Sequence, residues 1–442
     1  MDHLGHLCLR PRAWLSGRSA LMREVNLPPD KSITHRALML AASARGVSRV
    51  RTPLAGADCL ATAAVLRRLG APLPELCEEV VVRSDGLHTW RAPDSPLDCG
   101  NSGTTARLMM GLLAGRPFSS VLTGDASLKS RPMRRVSEPL AGMGAKVREL
   151  GEPDRLPLEV TGGRLRAAHY RTPVPSAQIK SAVILAGLSA GVPVRVSEGS
   201  PSRDHTEVLL REMGARLETR PSNGGRAVFL DSSWESLSPL DLTVPGDFSS
   251  ASFLIALGLL TGKGMRLPGV GVNPTRTGLL AVLERMGARL VVANRRQEGG
   301  EPVADLEVNP ASLGGVEVGG DEIPALIDEL PVLAVLAAAA SGETRITGAG
   351  ELRLKESDRV RALAENLRAV GAAAEELPDG LVISGSDRGL SGRVRTRGDH
   401  RVAMSFGVLA ALPGNRIEID DPDCVEISFP GFWKVLGNAA GR

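Results

Sequence analysis

Lysines, arginines and carboxylates recur in this chain beside small polar residues, just ahead of apolar Ala/Leu runs. Lys31, Ser32 and Arg36 open the first such run, LPPDKSITHRALMLAA from Leu27. Asn101, Ser102, Gly103 and Thr104 open the second, CGNSGTTARLMMGLLAG from Cys99, and Ser176 and Gln178 open the third, VPSAQIKSAVILAGLSAG from Val174. Asp328 heads the fifth run and Arg401 the last, while Lys129, Arg131, Arg203, Lys355, Glu356 and Arg359 occupy polar loops between runs. A helix N-terminus carries unpaired N–H groups and the positive end of the helix dipole, so it attracts anions. Glycine at such a start, as at Gly103, lets backbone amides approach a ligand. Cations gathered at several helix starts therefore indicate a site for small anionic ligands. Asp328 and Glu356, lodged among those cations, are suited to handling a hydroxyl proton as general base or acid.

Other chemistries lack their residues. His35, His205 and His400 stand in motif-like stretches, but no metal-site spacing and no HExxH arrangement occurs, so no metal and no cofactor are expected. The GxSxG elbow and the GxxxxGK[ST] phosphate loop are absent. Cys8, Cys59, Cys77, Cys99 and Cys424 are odd in number, with no CxxC or Cys/His pairing, which argues against a disulfide framework or a zinc site and fits a reducing cytoplasm. With 53 basic against 50 acidic residues and only 3% aromatics, no nucleic-acid surface is expected. Val332–Ala340 is too short to span a bilayer, so no membrane segment is expected. Met1–Met22 scatters arginines without a continuous apolar run, which argues against a secretory signal and leaves a transit-type segment open.

The elements that carry these residues repeat. A Leu-x-x-φ-Gly-Ala phrase closes five successive blocks (LRRLGA, LAGMGA, LREMGA, LERMGA, LRAVGA), and a truncated KVLG closes the sixth. Its glycines, from Gly70 to Gly437, are 66 to 84 residues apart, the length of a supersecondary unit. Asp30, Asn101, Ser176, Asp247, Asp328 and Asp399 precede the apolar runs as candidate N-caps, and the phrase glycine suits a left-handed C-cap. Each unit reads β-α-β-α-β-β, so the 442 residues form an α/β protein of six units, three per lobe. The expected lobes are residues 27–242 and residues 1–26 together with 243–442.

Eight segments, in order along nearly the whole chain, resemble the 5-enolpyruvylshikimate-3-phosphate synthases, the enolpyruvyl transferases of the shikimate pathway. They are PPDKSITHRAL, CGNSGTTARL, TGDASLKSRPM, PSAQIKSA, SRDHTE, IDELP, LKESDR and GDHRVAM. The resemblance implies a two-lobed fold of six βαβαββ units, with the stretch before Leu27 packed on the second lobe, so that the chain crosses twice. It also implies a monomer whose partners are small molecules bound in a closing cleft. Lys31, Ser32, Arg36, Ser176, Gln178, Arg203, Asp328 and Lys355 would meet shikimate 3-phosphate; Lys31, Gly103, Arg131, Gln178, Arg359 and Arg401 would meet phosphoenolpyruvate. Asp328, Glu356 and Lys31 would carry the proton transfers. Two positions depart from the pattern. Ala177 replaces a second serine, and Ile427 stands where some members have a lysine before Ser/Thr-Phe-Pro, which leaves Lys434 as the candidate substitute. The sister transferase acting on a UDP-sugar relies on a cysteine-bearing loop, and no cysteine here lies in a comparable Arg/Gly loop.

Overall fold

A computed structural model describes residues 22–222, 225–232 and 236–441; what was expected of residues 1–21, Cys8 included, lies outside the described residues. Six small sheets are each associated with a buried helix and a second, amphipathic one. The strands Leu97–Asp98, Ser119–Thr123, Lys146–Glu149 and Leu158–Thr161 lie in the spatial order first, second, fourth, third. The sheets of the third, fourth and fifth units repeat that order, with the opening strand parallel to the second and the remaining pairs antiparallel. The βαβαββ unit is thus complete four times. In the first unit the stretch after the Ala57–Arg68 helix carries Pro72 and Pro74, which cannot donate to a ladder, and its sheet has three strands. The sixth sheet has two, Ser391–Val394 and Arg416–Ile419.

Two apolar cores form. One gathers buried residues from Ile33 to Val244, the other gathers Val25 with residues from Phe248 to Ala439. The opening strands of the first and fourth sheets are exchanged between these cores. Arg23–Glu24 pairs with Met265 and Arg266, while Asp241–Thr243 pairs with Arg49, Val50 and Arg51. The two crossing segments run side by side, with the Asp30 amide donating to the Pro245 carbonyl (2.8 Å) and the Asp247 amide to that of Pro28 (2.9 Å).

Local signals explain most helix ends. Side chains of Asp30, Ser176, Asp247 and Asp399 cap the buried helices Lys31–Ser43, Ala177–Ala190, Phe248–Thr261 and His400–Ala410. Two expected caps differ. Ser102, not Asn101, caps Gly103–Ala114, because the Asn101 side chain is taken up by Asp125 and Arg131. Asp328 caps nothing, since the chain reaches Leu330–Ala338 already in helical conformation at Glu329. Gly70, Gly144, Gly214, Gly287 and Gly371 all have positive φ, the conformation that the repeated phrase requires of its glycine; Gly437 instead lies inside the Phe432–Ala440 helix.

Helices 103–114 and 177–190 meet backbone to backbone: a Cβ on Gly111 would lie 2.3 Å from the Ala182 carbonyl oxygen. In Gly111→Ala, the gain of about 1 kcal/mol in helix propensity is outweighed by overpacking of about 1–3 kcal/mol or more against a backbone that cannot rotate away. The variant is expected to have a lower urea midpoint than the parent, and an equal or higher midpoint would contradict this packing.

Candidate active site

A cavity of about 460 Å³ lies between the two cores. The first turns of four buried helices border it through Lys31, Thr104, Gln178 and Arg401 and their neighbours, and its far wall comes from residues 320–328 and 348–356. Eight lysines and arginines line it against three carboxylates, Asp328, Glu351 and Glu356. A wider depression of about 990 Å³ lies on the third sheet around Phe229, but no buried helix N-terminus opens into it.

Asp328 is the meeting point. Its carboxylate lies 2.7 Å from Arg203 Nη1, 3.5 Å from Arg359 Nη1, 3.6 Å from Lys355 Nζ and 3.8 Å from Arg401 Nη2. Arg401 also donates to the Asp328 carbonyl (2.9 Å). Burial alone would push this carboxyl up, but Lys355, Arg203, Arg401 and Arg359 overcome it and hold it well below the usual carboxylate range. Glu356 behaves likewise: burial is outweighed by Arg359, His400, Arg131 and Lys31, and the group is held well below its usual range. Lys31 Nζ donates to Asp58 (2.9 Å); burial lowers its pKa, Asp58 and Glu356 raise it, and the net direction is up.

On the other wall Arg107 donates to Gln178 Oε1 (2.7 Å) and to the Pro132 carbonyl (3.0 Å), while Gln178 donates to Thr104 (3.1 Å). Arg131 donates to Asn101 (2.5 Å), and Arg36 to Thr206 (2.7 Å) and Ser181 (3.1 Å). Two ion pairs join the lobes over the cavity, Arg203 to Asp328 and Arg135 Nη1 to Glu351 (3.0 Å).

Of the residues singled out from sequence, Lys31, Ser32, Arg36, Arg131, Ser176, Gln178, Arg203, Asp328, Lys355, Glu356 and Arg401 reach the cavity. Gly103 and Arg359 lie behind its wall. A Cβ on Gly103 would come within 2.9 Å of Arg107 Nη1 and 3.4 Å of Arg131 Nη1, so glycine leaves room for both guanidinium groups. Arg359 is 1% exposed and bonded to Asp399 (2.8 Å) and Glu356 (2.6 Å). Lys434 is exposed on the last helix and does not line the cavity, so it replaces nothing at Ile427. Ile427 instead abuts the first lobe, its carbonyl oxygen 2.8 Å from where a Gly56 Cβ would be. Sequence reading missed Arg107, Arg135, Glu351 and Asp58. For Arg107 the signal was present, one helical turn beyond Gly103 and Thr104 and hence on their face. Among the described residues no group of His, Cys, Asp or Glu is arranged to hold a metal.

His35 and His400 are buried, and both imidazoles have pKa values pushed down to about 3, chiefly by burial. Unfolded histidines take a proton near pH 6.5, so stability is unaffected above about pH 7 and falls as the pH drops through 6.5. The loss is about 2 kcal/mol per histidine by pH 5, before most carboxylates titrate. Urea midpoints are expected to fall between pH 7.5 and 5, less so in His400→Gln; a flat profile over that window would contradict two buried neutral imidazoles.

Comparison with known proteins gives one answer. The family model described as EPSP synthase (3-phosphoshikimate 1-carboxyvinyltransferase) matches residues 15–436. A 3-phosphoshikimate 1-carboxyvinyltransferase of Thermus thermophilus is 50% identical over 94% of this chain and 96% of its own length. One from Desulfitobacterium hafniense is 46% identical over 94% and 95%. The solved EPSP synthase from Acinetobacter baumannii superposes with a TM-score of 0.80 at 38% identity, covering 95% of this chain and 96% of that one. The enolpyruvyl transferase NikO from Streptomyces tendae shares the fold, with a TM-score of 0.72 at 19% identity over 94% of each chain.

Proposed function

The chain belongs to the EPSP synthase family, and on that premise we propose that it transfers the enolpyruvyl group of phosphoenolpyruvate to the 5-hydroxyl of shikimate 3-phosphate, releasing phosphate. The observation that carries this reading is one carboxylate, Asp328, ringed by four cations in a cavity lined by eight. Both substrates bear a phosphate and a carboxylate, and bringing them into contact requires such an excess of positive charge.

In this reading Lys31, Ser32, Arg36, Ser176, Gln178, Arg203, Asp328 and Lys355 receive shikimate 3-phosphate, and Lys31, Arg131, Gln178 and Arg401 receive phosphoenolpyruvate. Gly103 acts by the room it leaves for Arg131, and Arg359 by orienting Asp328 and Glu356. The 5-hydroxyl oxygen bonds to C2 of phosphoenolpyruvate as C3 takes a proton. The tetrahedral intermediate then loses a C3 proton, its C2–O bond to phosphate breaks and phosphate leaves. Asp328 takes the hydroxyl proton, and Lys31 and Glu356 share the transfers at C3 and the leaving oxygen. With the cleft empty, four cations keep Asp328 a weak base. Once substrate anions share those cations, its basicity rises beside the hydroxyl it serves.

The reading takes the lobes as residues 27–242 and 1–26 with 243–442. It has the chain acting as a cytoplasmic monomer, a setting with which the described free cysteines agree.

Phosphate release from phosphoenolpyruvate is expected only when shikimate 3-phosphate is present. Release independent of it, or dependent on a UDP-sugar instead, would overturn the reading. Asp328→Asn is expected to lower kcat by about 100-fold or more while shikimate 3-phosphate still binds, as befits a group acting in the transition state; near-normal turnover would remove Asp328 as the base. Gly103→Ala is expected to raise the KM for phosphoenolpyruvate more than it lowers kcat, because it displaces Arg107 and crowds Arg131 without removing either, and an unchanged KM would show that this crowding has no consequence.

A further inference from the structure

The fourth unit contributes no side chain to the cavity lining, yet its loop from Asn273 to Arg276 touches both arms of the site from behind. Arg276 is 2% exposed. Its Nη1 lies 3.2 Å from Asp30 Oδ2, and its Nη2 donates to Asp247 Oδ1 (3.0 Å) and Ser249 Oγ (2.9 Å). Asp30 and Asp247 cap the first buried helix of each lobe, and they sit where the two crossing segments pair. Asp247 Oδ2 also accepts the Lys31 backbone amide (3.1 Å). Ser249 in turn donates to Glu329, the residue after Asp328. Three residues away, Asn273 Nδ2 donates to Asp204 Oδ1 (2.8 Å) and Glu301 Oε2 (3.1 Å), and Thr275 Oγ1 donates to the same Asp204 oxygen (3.2 Å). Asp204 follows Arg203, the closest partner of the Asp328 carboxylate.

We propose that the Asn273–Arg276 loop is a positioning brace for the active site: Arg276 clamps the crossover that sets Lys31, and Asn273 grips the turn that sets Arg203. Asp30 and Asp247 are both buried carboxylates, and one forked guanidinium between them is what allows them to sit together. An ammonium in its place cannot reach both carboxylates and the serine at once, so the two segments part and Lys31 moves with its helix start. A displacement of about 1 Å at a reacting group can cost about 100-fold in rate. The brace serves the reaction proposed above and rests on that reading for its effect on turnover.

The test uses Arg276→Lys, Asn273→Ala and, as a control for destabilisation alone, Val308→Ala in the second lobe's core. Arg276→Lys is expected to lower kcat/KM for both substrates by about 10- to 100-fold, whereas Asn273→Ala chiefly raises the KM for shikimate 3-phosphate, by about 10-fold. Val308→Ala is expected to unfold earlier but to keep both constants within about twofold. Hydrogen exchange read by mass spectrometry supplies an arm independent of activity: amides of residues 31–38, in the other lobe's core, exchange faster in Arg276→Lys and not in Val308→Ala. Unchanged exchange there, or constants that follow stability alone, would overturn the brace. A parent without shikimate-dependent phosphate release would overturn the functional reading instead, leaving the exchange result to decide the brace. If Arg276→Lys fails to fold, Asn273→Ala decides: a KM unchanged in a folded protein overturns the proposal.

Discussion

Positive charge kept away from water is the constraint around which this molecule is arranged. Arg36, Arg107, Arg131, Arg203, Arg359 and Arg401 are almost wholly enclosed along one cleft, at a desolvation cost that no single contact offsets. The protein answers with carboxylates that are themselves enclosed. Asp399 and Glu356 hold Arg359, Asp58 holds Lys31, and Asp328 is shared among four cations. Across the cavity lining eight cations still face only three carboxylates, so a surplus of positive charge remains. That surplus is what an anionic ligand completes, and it makes the same residues both a binding surface and a destabilising load on the empty protein.

The repeat makes the load bearable by putting rigid, apolar bodies behind every charged end. The helices that open toward the cleft, 31–43, 103–114, 177–190 and 400–410, are buried almost all round, so their first turns cannot shift without disturbing a close-packed core. Close approaches such as Gly111 against Ala182 hold neighbouring helices at fixed spacing. Charged tips thus inherit their precision from Ala, Leu and Gly residues far from any substrate.

What could be read from the chain was local, and what could not be read was long-range. The phrase around Gly70, Gly144, Gly214, Gly287 and Gly371 announces five helix ends, and the polar openings announce the buried helices, because each signal lies within a few residues of its effect. The resemblance carried most of the cavity-lining residues. Pairings such as Arg203 with Asp328 or Arg135 with Glu351 join residues more than a hundred positions apart, and no periodicity records them. Arg23–Glu24 and Leu97–Asp98 are strands of two residues, too short to show an alternation. Asp328 and Asn101 are residue types that suit a cap, but the helix after Asp328 has its N-cap one residue later, at Glu329, and Asn101 is taken up by Asp125 and Arg131. The polar residues of the fourth unit, Asn273 and Arg276 among them, face other protein groups, which composition alone cannot distinguish from solvated surface.

The exchange of opening strands sets the order in which the molecule can be finished during synthesis. Arg23–Glu24 leaves the ribosome about 240 residues ahead of the strand it pairs with, and the first sheet waits for Asp241–Thr243 before its edge is filled. The first lobe's sheets all lie between Arg45 and Thr243 and can close as one contiguous stretch of nascent chain, whereas the second lobe is split, its opening strand made before the first lobe and the rest after it. The earliest of the described strands is therefore held without its partner while the whole first lobe is made.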